Sequence, residues 1–344
     1  MNKVIKNKKT RDGYLDVLKG VAICLVVFGH AIQSASPDFD ANPIFRLIYS
    51  FHMPLFIFLS GAVASYSKRP LNMDYIKNKL STLLLPFFAW AVVGYFLTNS
   101  HNTRSILSHI WRAVTLPDTG LWFLVVLFWL SCILFLFTRA NRIFGSAGYV
   151  AVMLVVYSVP TSKFGMGLVK WHLPFFFAGY FIFKYANILA RYRKAVLYIC
   201  AAVFPFIVVT WYRTKNPVFA SWIEPRLSAH NLTTISIGEN LTLNIYLLVI
   251  TVYKYAVGFA GIGAVFFWMQ YLYRLRPIRR VFNYLSGYTL DIYAMSNYCL
   301  FIGFGSYYAF IFTATLAGVI VPVIVSVIFI RRFSILRRLL LGGR

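Results

Sequence analysis

The chain has 344 residues, 60% of them hydrophobic, 19% aromatic and 12% charged, with a mean hydropathy of +0.69. Soluble domains run at about 45–50% apolar and about 25% charged, so this composition excludes a soluble globular fold and implies lipid-spanning segments. The net charge of +25 would suit nucleic acid in a soluble protein, but the basic residues sit in short clusters between apolar runs. The charge therefore reads as membrane topology, and no nucleic-acid partner is expected.

The chain opens on a basic tail, residues 1–13, followed by the apolar run "LDVLKGVAICLVVFGHAIQ", Leu15–Gln33. Lys19, His30 and the length of the run argue against a cleaved signal peptide. Ten apolar segments follow in order: 15–35, 44–66, 81–98, 121–138, 147–161, 171–187, 195–211, 244–272, 286–308 and 312–330. At roughly 20 residues per crossing, and because exposed backbone polar groups are costly in lipid, the expected fold is all-α. It is a polytopic transmembrane bundle of about ten spans forming a single domain over 1–344. Segment 244–272 is long enough to tilt or break at Gly258, Gly261 and Gly263. Of the 34 Lys and Arg, 24 fall in the connections on the side of the N-terminus and eight on the other. Positive charge favours the cytoplasm, so both termini, including the tail 331–344, are expected there. The loop at about 211–244 is expected outside. Cys24, Cys132, Cys200 and Cys299 stand singly in apolar segments, so neither a disulfide framework nor a zinc knuckle is indicated.

Ionisable residues inside spans are functional candidates by default. Lys19 and His30 are eleven residues apart, which places them on one helix face about 16 Å apart along the axis. His52, in "IYSFHMPLFIFLSGAVASY", and His172, in "KWHLPFFFAGY", lie at a depth similar to His30. No HxxxH or HExxH spacing accompanies them, so no metal is expected. An imidazole acting as acid, base or nucleophile fits better. Asp118 is the outer carboxylate best placed to orient a histidine, although it equally suits a helix cap. Asp291 lies toward the inner side, and Lys254 sits within a span. On the inner side Lys68, Arg69, Lys77, Lys79 and "RLRPIRR" form a basic rim with Lys19. Such a rim follows from topology, and it also suits a phosphorylated ligand. No Walker-type loop is present, so NTP hydrolysis is not suggested.

The stretches "YLDVLKGVAICLVVFGHAIQ", "YSFHMPLFIFLSGAVASY", "YIKNKLSTLLLPFFAW", "GLWFLVVLFW", "LPFFFAGYFIF" and "YLSGYTLDIYAM" together resemble the acyltransferase-3 family of integral-membrane O-acyltransferases. Within it the chain looks most like the short enzymes that acetylate bacterial surface polysaccharides. The resemblance implies a multi-pass protein of the bacterial inner membrane. It would transfer an acyl group, usually acetyl, from cytoplasmic acetyl-CoA to a hydroxyl of a lipid-linked or polymeric glycan outside, such as O-antigen or capsule. Carried onto this chain, His30 matches the essential histidine and Lys19 the basic residue eleven before it. Lys77 and Lys79 match basic donor-binding positions, His52, Ser60 and Gly61 fall in the second motif, and Trp122 falls in the fourth-span motif. Two departures stand out: the fourth span has no glutamate, and Ser296 stands where many members have histidine. His30, His52 and Asp118 are therefore the candidate catalytic residues, and Lys19, Arg69, Lys77 and Lys79 the candidate donor-binding residues. Whether His30 acts as a general base or as an acyl carrier, and whether Asp118, His52 or no side chain partners it, is open at this level. The competing reading is a transporter or glycan-lipid flippase whose pathway is lined by Lys19, Lys254 and the histidines.

Overall fold

The computed structural model describes residues 13–67, 71–98, 105–116, 121–162, 164–229, 234–237 and 241–343. The structure is a helical bundle, with a small hairpin in the loop that follows residue 211. Seven helical stretches among the described residues are long and apolar enough to cross a membrane. They are α1 (Gly13–Ala35), then α2 (Pro43–Tyr49) continued by α3 (His52–Ser65), and then α4 (Met73–Lys79) continued through a π-type turn into α5 (Leu85–Leu97). A short amphipathic α6 (Ile106–Thr115) precedes α7 (Trp122–Phe144), which is also long enough. The other long stretches are α9 (Met166–Lys184), α12 (Ile245–Leu272) and α15 (Tyr307–Val325) extended to Ile330, with α8 (Ser146–Ser158), α10 (Ala186–Val208) and α11 (Ala220–Ala229) between them.

All ten apolar segments are helical in part or whole, but three depart from a simple rod. α8 has 13 residues, about 20 Å of helix, against a hydrocarbon core of about 30 Å. α10 starts nine residues before its apolar segment and carries Arg191, Arg193 and Lys194 in its first half. Segment 286–308 breaks into α14 (Thr289–Met295) and two 3-10 turns, Ser296–Tyr298 and Leu300–Ile302. Of the two outcomes open for 244–272, tilt or break at its glycines, the break does not occur, and α12 runs unbroken. Those glycines are packing contacts instead: a Cβ would lie 2.8 Å from the Phe175 ring at Gly258 and 2.5 Å from Phe51 at Gly261.

In the outer loop of the sequence reading, β1 (Thr234–Ile237) pairs antiparallel with β2 (Leu241–Asn244), Thr234 opposite Asn244 and Ile237 opposite Leu241. The remaining elements are α13 (Arg276–Ser286) and α16 (Ser334–Leu341).

α1 and the α2–α3 stretch are the most deeply buried of the seven. α1 packs on α3, α13, α14 and α15, so the two ends of the chain meet on it. α2 begins where Asn42 accepts hydrogen bonds from the Ile44 and Phe45 N–H groups, with Pro43 at the first helical position. That cap and proline fix the helix start and so set where Tyr49 and His52 fall. α3 and α9 touch backbone to backbone, because Cβ atoms at Gly61 and Gly179 would each come 2.0 Å from the facing carbonyl oxygens of Phe176 and Phe58.

Overpacking of this kind costs about 1–3 kcal/mol even where neighbours can yield, and here the obstacle is backbone. Gly179→Val is expected to lower the melting temperature of the solubilised protein clearly, whereas Gly145→Ala, with nothing within 4 Å, costs only its left-handed backbone strain. Equal melting temperatures for wild type and Gly179→Val would contradict the close α3–α9 contact.

Candidate active site

His30 lies in the last third of α1, half-buried. Three residues on, and so on the same face, Gln33 places its Oε1 3.4 Å from His30 Nδ1. From the end of α2, the Tyr49 hydroxyl lies 3.2 Å from the same nitrogen and donates to Gln33 Oε1 at 2.9 Å. A phenol has one proton. With that proton committed to Gln33, the Tyr49 oxygen can only accept from Nδ1–H. The hydrogen bonds therefore select the Nδ1–H tautomer and leave a lone pair on Nε2, the nitrogen without a partner among the described residues.

Tyr49 also stands 4.4 Å, centroid to centroid, from the imidazole of His52, the first residue of α3. His52 is buried, and its Nδ1 donates to the Ile48 carbonyl at 3.0 Å. On α9, His172 is fixed the same way against the Leu168 carbonyl at 2.8 Å and lies against Trp122 at 5.1 Å. His52 is within electrostatic reach of both His30 and His172. The structure thus gathers three sequence-identified histidines at one end of the bundle, each with Nδ1 engaged. Among the described residues no group of three His, Cys, Asp or Glu side chains is arranged to hold a metal.

A strap crosses this end of the bundle. Asp40, in the 3-10 turn between α1 and α2, is buried and accepts from the backbone N–H groups of Arg213 and Thr214 at 3.2 and 2.9 Å and from the Thr214 hydroxyl. Arg46 donates to the Val209 carbonyl and covers the Tyr212 ring. The strap hangs the Arg213 guanidinium over Tyr49 at 5.1 Å and Phe39 at 5.9 Å. Burial pushes the Asp40 carboxyl up, but the Thr214 hydroxyl, the two backbone donors and the charge of Arg213 together bring it below the ordinary carboxylate range.

The other end of the bundle holds a cavity of about 540 Å³ lined by Lys19, Lys79, Arg331, Asp291, Ser60 and Ser131, among others. A smaller cavity of about 60 Å³ shares six wall residues with it, including Phe56, Phe123, Leu127 and Leu290, and extends to Val26 and Met53. Val26 is one turn from His30, and Met53 adjoins His52. The two cavities thus share a wall and together extend from the Lys19 side toward the level of the histidines, none of which lines either, with mostly apolar residues around the smaller one. The Tyr293 hydroxyl, which accepts from the Phe123 N–H at 3.3 Å, fixes one side.

Of the donor-binding candidates, Lys19 and Lys79 line this cavity. Lys19 is 3.2 Å from the Asp16 carboxylate and Lys79 lies over the Tyr75 ring. Lys77 is exposed and pairs with Asp74 at 3.9 Å, away from the cavity walls. Asp118 and Arg69 lie outside the described residues. No carboxylate among the described residues touches His30, and Tyr49 with Gln33 occupies the orienting position that a carboxylate would fill. Sequence reading missed both, although the i, i+3 spacing of Gln33 from His30 was the available signal. It also missed Arg331.

The model of the acyltransferase domain family matches residues 12–331. The chain belongs to this acyltransferase family. Among curated proteins it is 28% identical over 220 residues to nodulation protein NolL of Sinorhizobium fredii, covering 59% of this chain and 58% of that one. It is 27% identical over 184 residues to nodulation protein NolL of Mesorhizobium japonicum, covering 49% and 47%. The chain thus spans about half the length of the curated relatives it matches. No solved structure matches it. The family match takes in the histidine end and every wall residue of the two cavities except Leu341.

Two outcomes follow for this candidate site. Tyr49→Phe removes the nearer of the two acceptors of His30 Nδ1–H, leaving Gln33 Oε1, and is expected to lower turnover by up to roughly tenfold, the worth of one hydrogen bond, without loss of folded protein; unchanged turnover would contradict a role for Tyr49 in orienting His30. For the strap, a carboxyl held below its ordinary range stabilises fully above the ordinary carboxylate pKa and loses that contribution as pH falls through the lower folded value. Tryptic cleavage after Lys215 should therefore stay slow at neutral pH and accelerate in acid-treated protein and, at neutral pH, in Asp40→Ala. Equal cleavage of wild type and Asp40→Ala at neutral pH would show that Asp40 does not hold the strap.

Proposed function

We propose that this protein transfers an acyl group, most simply acetyl, from cytoplasmic acyl-CoA to a hydroxyl of a cell-surface polysaccharide on the opposite side of the membrane. The observation that carries the reading is the pair of wall-sharing cavities that extends from a cation-lined space beside Lys19 toward the level of His30 and His52. A phosphorylated head needs cations, whereas a thin pantetheine arm needs a narrow apolar bore. Membership of the acyltransferase family supports the reaction class. The excess of Lys and Arg in the connections on the Lys19 side supports a cytoplasmic donor. The bacterial inner membrane is the setting this sidedness fits.

In this reading the CoA nucleotide sits among Lys19, Lys79 and their neighbours, and the thioester reaches the level of His30. His30 Nε2 takes the proton from the acceptor hydroxyl, and that oxygen attacks the thioester carbonyl. As the carbon–sulfur bond breaks, the imidazolium returns the proton to the departing thiolate. Tyr49 and Gln33 hold the tautomer this requires. His52, fixed through Ile48 and beside Tyr49, shapes the site from α3. Arg213, on the strap, adds positive charge where negative charge develops on the thioester oxygen.

His30→Ala is expected to abolish O-acetyl signals in the NMR spectrum of the surface polysaccharide while the protein stays folded in the membrane. Wild-type acetylation in that variant would contradict the proposal. Transfer of a glycan lipid across liposomes by the purified protein without acyl-CoA would favour transport instead.

A further inference from the structure

Arg331 stands at the end of a π-type turn, Ser326–Ile330, whose wide hydrogen bond runs from the Arg331 N–H to the Ser326 carbonyl at 2.8 Å. The turn swings the guanidinium back onto α14. There Nε lies 3.3 Å from Asp291 Oδ1 and 3.1 Å from Ser326 Oγ. Nη2 donates to Asp291 Oδ2 at 2.9 Å and to the Gly287 carbonyl at 2.7 Å. The Tyr288 ring covers one face at 4.3 Å. Asp291, 1% exposed, also accepts from the Ser326 hydroxyl.

Three sides of the guanidinium are thus tied down, and Nη1 has no partner among the described residues. Arg331 and Asp291 both line the large cavity with Lys19 and Lys79. A purely structural role accounts poorly for this arrangement. The Asp291 side chain is 2% exposed and the Arg331 side chain 28%, and taking a carboxylate out of water costs much of what such a pair recovers, so apolar residues of similar size would hold the helices as well. A guanidinium fixed in direction, with two N–H bonds left over, is instead built to receive an oxyanion. Its rigidity also lowers the ordering cost of binding.

We propose that Arg331, oriented by Asp291 and Ser326, is a phosphate anchor of the donor cavity, binding a phosphate ester at the nucleotide end of the acyl donor. This rests on the acyl-CoA reading above and adds to it the group that recognises the phosphate. Arg331 is a binding residue, and Asp291 is its positioning residue.

The test compares two donors in membranes containing the native acceptor: acetyl-CoA, and S-acetylpantetheine, which has the same thioester and arm but no phosphate. Arg331→Gln should raise KM for acetyl-CoA roughly tenfold or more, as loss of a charge-assisted bond requires, with kcat nearly unchanged. The rate per unit of S-acetylpantetheine should stay within about twofold of wild type, the scatter such comparisons carry. Because Arg331→Gln leaves Asp291 buried without its counter-charge, the double variant Asp291→Asn/Arg331→Gln is measured beside it and judged by the same criterion. Arg331→Lys should fall between wild type and Arg331→Gln. An unchanged KM for acetyl-CoA, or an equal fall with both donors, overturns the assignment. Absence of transfer by the wild type from either donor would instead overturn the acyl-CoA reading, so the two failures are distinguishable.

Discussion

An imidazole can act as a base only at a nitrogen whose lone pair is free, and in this protein the Tyr49 hydroxyl and Gln33 Oε1 together set which nitrogen of His30 that is. Tyr49 gives its proton to Gln33 and so must accept from His30 Nδ1. Much of the surrounding structure serves this triangle. The Asn42 cap and Pro43 set the phase of α2, burial of α1 and α3 fixes the depth of both histidines, and the Asp40 strap lays Arg213 over Tyr49. Hydrogen bonds in a low-dielectric setting reinforce one another and are costly to leave unmade, which makes the arrangement stiff.

The two ends of the bundle solve different electrostatic problems. At the Lys19 end, cations are tempered locally: Lys19 by Asp16, Arg331 by Asp291. Two of the cations in the cavity wall are thus held beside carboxylates. At the histidine end three imidazoles lie beneath a strap that is tied by Asp40 and Arg46 and carries the exposed Arg213. Between them the smaller cavity is mostly apolar, walled by Phe56, Phe123 and Leu127.

Much of this was legible in the sequence, for identifiable reasons. Composition and run length gave the helical bundle, since lipid leaves the backbone few alternatives. Helical phase put Lys19 and His30 on one face of α1, and Lys19 lines the large cavity. Less legible was whatever depends on how helices meet. Gly258 and Gly261 looked like break points in α12 but accommodate Phe175 and Phe51. Lys77 and Lys79 are two residues apart, so they point away from each other on a helix, and contact alone decided that Lys79 faces the cavity. Tyr49 reaches His30 across two elements, and Arg331 reaches Asp291 across 40 residues, so neither pairing has a local signature. Residues 117–120, which include Asp118, lie outside the described residues.

The central claim is that the acyl group crosses the membrane along these two cavities. The most direct measurement uses sealed proteoliposomes with the protein in one orientation, labelled acetyl-CoA added only on the face of the C-terminus, and acceptor glycan present on both faces. The account predicts label on the glycan of the opposite face, lost in His30→Ala. Label confined to glycan on the donor's own face would contradict it.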